Sequence, residues 1–144
     1  MALSQNVTFT GAAPSDAEGD DPPGAGVARL LMEAIRGRGW SSDDLENWRD
    51  VGWSLVCRRA SSELQIALSA FGAGAWMLQV APLRVPGLVG RALGRQSSAT
   101  PEDCLALALV VHETLAQGGR FGDFRWQWDG PPTAESGDRP TAPA

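Results

Sequence analysis

The sequence contains no lysine and no tyrosine, and only one histidine, His112. Without lysine there is no Schiff-base nucleophile and no phosphate-loop lysine, and a single imidazole removes acid–base chemistry built on paired histidines. All 12 basic side chains are therefore arginine. Cysteine is scarce too. Cys57 and Cys104 are too few for a disulfide-stapled scaffold and are expected to be small buried apolar residues. The longest apolar run, residues 104–111, is far short of the ~20 residues that a bilayer-spanning helix needs. The start, Met1 to Asn6, has neither a basic cluster nor an apolar stretch, so no signal peptide and a cytoplasmic location are expected.

The net charge of −5 is unevenly distributed. Residues 1–24 carry four carboxylates and no arginine, and residues 133–144 add one net negative charge. The stretch between them is balanced, with 11 arginines against 11 carboxylates. A neutral domain lacks the positive field that nucleic-acid binding requires, so nucleic acid is not an expected partner.

The 144 residues suit one domain. Residues 1–24, ending Asp20-Asp21-Pro22-Pro23-Gly24, read as a disordered acidic arm, and 131–144 as a disordered Pro-rich tail. The folded domain is then 25–130. Within it, Val27, Leu30, Leu31, Ala34 and Ile35 recur at helical spacing and predict a helix over 25–37, stopped by Gly37 and Gly39. Ser41-Ser42-Asp43-Asp44 offers caps for a short second turn through Trp48. From Val51 the apolar period becomes two, predicting a strand over 51–60. Two more strands follow, built on Leu64, Ile66, Leu68 and on Trp76, Leu78, Val80; the short loops between the three make an antiparallel meander. Residues 84–99 read as a loop with a helical turn near Leu88–Leu93. Thr100 as N-cap and Pro101 at the first position open a second helix ending at Gly118-Gly119. A return strand over 121–129 turns Phe124, Trp126 and Trp128 inward. The expected fold is α+β in the order α-β-β-β-α-β: a three-strand meander plus a return strand, with two helices on one face.

Four of the six tryptophans, Trp53, Trp76, Trp126 and Trp128, fall on inward strand positions and are expected in the core. Trp40 and Trp48 lie in a connector, where they either anchor it or stand exposed as contacts for a partner. His112-Glu113 resembles the opening of a zinc-protease motif, but Ala116 stands where the second histidine is required. With no further ligand set, neither a metal nor another cofactor is expected. Asp43, Asp44, Glu46 and Asp50 form an acidic run that suits a solvated helix start better than paired catalytic carboxylates.

The segment 84–96 mixes Arg84, Arg91 and Arg95 with Leu83, Val85, Leu88, Val89 and Leu93, and no carboxylate lies between Glu63 and Glu102. Arginines among aliphatics mark partner-binding surfaces, so Arg84, Leu88, Arg91 and Arg95 are the candidate partner contacts. Leu105 and Leu109 lie outside the second helix's core face, which makes them candidates for self-association into a homodimer.

Val27-Ala28-Arg29-Leu30-Leu31, Gly52-Trp53-Ser54-Leu55-Val56-Cys57 and Ala75-Trp76-Met77-Leu78-Gln79-Val80, in that order of helix and strands, resemble the type III secretion chaperones. That resemblance spans about 25–118, rests on element order, and implies a non-enzymatic dimer that holds an effector's segment for export. The competing expectation is a small enzyme or ligand-binding domain. Its pocket would lie near the 40–50 connector and be lined by Asp43, Asp44, Trp48, Asp50 and His112. On either reading, removing both tails should leave folding stability nearly unchanged. The exception would be a tail that packs on the domain, with Val7 and Phe9 as an extra edge strand.

Overall fold

The computed structural model describes residues 4–11, 24–48, 51–72, 74–83 and 99–141. Seven strands form one antiparallel sheet: β1 (Gln5–Gly11), β2 (Ser41–Ser42), β3 (Glu46–Trp48), β4 (Gly52–Arg59), β5 (Ser62–Ala70), β6 (Ala75–Pro82) and β7 (Phe121–Trp128). Helix α1 (Ala25–Arg36) follows β1, and α2 (Pro101–Ala116) precedes β7 through a 3₁₀ turn at Gln117–Gly119. The spatial order is β2-β4-β5-β6-β1-β7, with β3 also pairing with β4.

This corrects the expected α-β-β-β-α-β order. The first element is a strand, taken from the segment that composition assigns to a disordered arm. β1 is not an edge addition either. It lies between β6 and β7, pairing Val7 with Leu78 on one side and with Trp126 on the other. Two short strands, β2 and β3, also stand between α1 and the meander β4–β5–β6, and among the described residues the return strand β7 meets the meander only through β1. The short second turn expected from the caps at 41–44 is also replaced. Ser41–Ser42 and Glu46–Trp48 are two short strands on β4, because the polar side chains there are drawn to Arg36 and Arg58 rather than to helix N–H groups. The helical turn expected near Leu88–Leu93 lies outside the described residues.

Strand register sorts the side chains by the two-residue period. Val7, Phe9, Leu55, Cys57, Leu64, Ile66, Leu68, Trp76, Leu78, Val80 and Trp126 share one face of the sheet and form a single core with both helices. α1 contributes Val27, Ala28, Leu31 and Ile35, and α2 contributes Cys104, Leu107, Ala108, Val111 and Leu115. The other face carries Thr8, Val56, Gln65, Met77, Gln79 and Arg125, the side that an antiparallel sheet leaves to solvent. Trp53 and Trp128 pack against the core while only partly buried.

The helix ends obey their local chemistry. The Thr100 hydroxyl accepts a hydrogen bond from the Asp103 N–H at 3.2 Å, and Pro101 takes a position where no N–H is missed. α1 ends in a turn completed by Gly39 at φ 91°, a left-handed conformation that glycine adopts without Cβ strain. Residues 131–141, inside the expected disordered tail, return along β7: the Trp126 N–H donates to the Gly137 carbonyl at 2.7 Å. Among the described residues no helix is long and apolar enough to cross a membrane.

Candidate functional site

α2 is apolar on nearly every side. Its core positions alternate with Leu105 and Ala106, which are partly buried, and with Leu109, which is 38% exposed. Leu105 and Leu109 are one helical turn apart and so form one outward stripe. Glu102 and Glu113 mark its two ends. α1 packs beside α2, and an Arg38–Glu113 ion pair of 2.8 Å joins them at the surface. Leu30 of α1, 37% exposed, borders a groove of about 290 Å³ that is also lined by Thr114, Gln117, Arg120 and Phe121. The two leucines singled out for self-association are therefore brought onto one surface. Arg84, Leu88, Arg91 and Arg95 lie outside the described residues.

The residues of the competing pocket do not converge. Asp43 is bound by Arg58 at 2.7 Å, and Asp44 lies 3.7 Å from Arg36, both at the β4 edge. Trp48 is in β3 on that same edge. His112 sits across the molecule, against β7 at the far end of the strand order. Asp50 lies outside the described residues. The Arg58 guanidinium holds the Asp43 carboxyl below its ordinary pKa, and the same contact raises that of Arg58.

Trp40 is the connector tryptophan that anchors. It is buried, and the Arg59 guanidinium stacks 4.3 Å above its ring centroid. Arg59 also donates to Asp103 at 3.1 Å, and that carboxylate accepts from the hydroxyls of Ser62 and Thr100. Hydrogen bonding from Ser62, with Arg59 and Thr100 adding to it, keeps the Asp103 carboxyl below the usual range. The cluster ties the start of α2 to the β4–β5 turn.

His112 and Trp126 form another polar contact between helix and sheet. The Trp126 indole N–H donates to His112 Nδ1 at 3.1 Å, and the Phe124 ring lies edge-on to the imidazole at 4.8 Å. Burial depresses the His112 pKa, and the nearby Arg139 pushes the same way, while Asp138 and Glu113 oppose it. An open groove of about 350 Å³ beside the ring is lined by Glu113, Ala116, Gln117 and Arg139. From sequence, His112 stands in an incomplete zinc-protease motif and in the lining of the competing pocket, and Trp126 in the core. The available signal was that a buried indole needs an acceptor, which Trp126 finds on the facing helix.

Both thiols are buried and unpaired, and burial pushes each up to about 12. At neutral pH they are protonated and poor nucleophiles. Among the described residues no group of histidine, cysteine and carboxylate side chains could hold a metal ion. No protein-family model matches the chain, and no curated protein matches it. Its function has to be read from its own geometry.

Proposed function

We propose that this protein is a non-enzymatic protein-binding module that self-associates through the outer stripe of α2 and serves as a cytoplasmic chaperone or adaptor for another polypeptide. The observation that carries it is Leu109: a large aliphatic side chain, 38% exposed, on the outward side of a helix that is apolar on nearly every other side. A helix that is hydrophobic all round is normally covered all round, and a second copy would complete the cover. The specific form of the role, holding a segment of a secreted effector, comes from the resemblance to type III secretion chaperones. Arg84, Leu88, Arg91 and Arg95 are the proposed partner contacts, pairing guanidinium groups with partner carboxylates or carbonyls beside buried aliphatic area.

Two measurements test this. Light scattering across a concentration series should give a dimer mass for the wild type. The Leu105→Glu/Leu109→Glu variant should dissociate at least tenfold more readily, about 1.4 kcal/mol, with its far-UV spectrum unchanged. A wild-type monomer at every concentration would remove self-association. In the second measurement, the protein should slow aggregation of a chemically unfolded reporter, and Arg91→Glu/Arg95→Glu should weaken that protection. Absence of protection by the wild type would remove the chaperone reading.

A further inference from the structure

Trp126 makes two contacts that tie different parts of the molecule together. Its indole, 1% exposed, donates to His112 Nδ1 on α2. Its main-chain N–H, on the outer edge of β7, donates to the Gly137 carbonyl in the returning C-terminal segment. That segment is held at a few further points. The Ser136 hydroxyl donates to the Gln127 side chain at 3.0 Å, a turn joins Thr133 to Ser136, and Pro140 is buried. Arg139, the next residue but one after Gly137, borders the same groove as His112.

We propose that residues 131–141 form a strap over the β7 edge, and that protonation of His112 loosens it. The neutral ring accepts the indole proton at Nδ1, which places its own proton on Nε2. In the imidazolium both nitrogens carry protons, so Nδ1 becomes a donor facing the Trp126 N–H donor. The buried indole then has no acceptor, and either it or the ring must move. The new positive charge also lies beside the Arg139 guanidinium on the strap, and like charges there favour the strap's departure. Asp138 on the strap and Glu113 on α2 oppose this by stabilising the cation. Glu113 is already engaged by Arg38, which reaches it from the turn after α1. From β7 the ring is faced by Phe124 and Trp126, which carry no charge. The balance favours the neutral ring while the strap is seated, in line with a pKa held below its ordinary value by burial and by Arg139.

The test is amide hydrogen exchange by NMR on the full chain between about pH 7.5 and about pH 5, values that bracket the ordinary histidine pKa. The protection factor of the Trp126 main-chain N–H, corrected for intrinsic pH dependence, should fall several-fold. Its midpoint should coincide with that of the His112 ring resonances and the Trp126 indole proton. His112→Asn places Oδ1 where Nδ1 was, so it keeps an acceptor that does not titrate; protection there should be flat with pH. Trp126→Phe removes the donor, and in it the His112 midpoint should rise toward the ordinary value. If wild-type protection stays constant through the His112 titration, or falls equally in His112→Asn, the strap is not under His112 control. Should His112→Asn fail to fold, the wild-type coincidence of midpoints and the Trp126→Phe shift decide the matter.

Discussion

Gly52, at the start of β4, meets the backbone of β5 so closely that a Cβ built on it would stand 1.8 Å from the Leu68 carbonyl oxygen. That neighbour is main chain inside a sheet and has no rotamer by which to yield. Gly52→Ala is therefore expected to cost at least the ~1–3 kcal/mol usual for overpacking, seen as a lower midpoint in urea with little change in slope. A midpoint equal to wild type would mean that the two strands separate there at no cost. Gln5 marks a different single-residue constraint. It is fully buried, its side chain points to the core face of β1, and its amide atoms find no hydrogen-bond partner among the described residues. An unsatisfied buried polar group costs about 1–3 kcal/mol, so the strand retains its place because of what Val7 and Phe9 bury.

Among the elements, β1 bears most of the difference between expectation and structure. Its alternation, Val7 and Phe9 against Thr8 and Thr10, is a strand pattern. Seven residues beside a stretch rich in Gly, Ala, Pro and Asp do not reveal which sheet they join or where. The register answers this: β1 fills the gap between β6 and β7, and its Phe9 packs with Trp76, Phe121 and Phe124. Deleting residues 1–11 should accordingly abolish cooperative unfolding, because β7 loses the one strand partner it has among the described residues and the core loses the buried side chains of Val7 and Phe9. Thermal melting followed by near-UV circular dichroism checks this. A melting temperature within a degree or so of wild type would show that β1 is dispensable. Deletion of 131–144 should have a much smaller effect, since one isolated bridge and a few side-chain contacts attach that segment to β7.

For the molecule as a whole, stability should fall with acid in two stages. The His112 pKa is depressed in the folded state, so its contribution is full above the unfolded value near 6.5 and is lost as pH falls below that value through the folded one. The Asp103 and Asp43 pKa values are depressed below 3.8, the first chiefly by Ser62 and the second by Arg58, so their contributions persist until the pH drops under that value. Urea midpoints measured against pH should show both declines. His112→Asn should remove the upper one and Asp103→Asn should reduce the lower one. A single decline confined to the carboxylate range would leave His112 without an energetic link to folding.

The sequence by itself determined the local elements whose signals lie within a dozen residues: α1 with its glycine stop, the β4–β5–β6 meander, the Thr100-Pro101 start of α2, and the inward parity of Trp76 and Trp126. Those signals are periodicity, capping and turn chemistry, which act between near neighbours. It also singled out Leu105 and Leu109 as apolar residues beyond the core face. Only the tertiary structure decided that β1 lies inside the sheet, that Ser41–Ser42 and Glu46–Trp48 become short strands on β4, and that His112 meets Trp126 while Asp43 and Asp44 stay at the opposite edge. Each of these depends on pairing between segments distant along the chain. A strand's partner and register are fixed by which buried face it completes, and no local pattern carries that information.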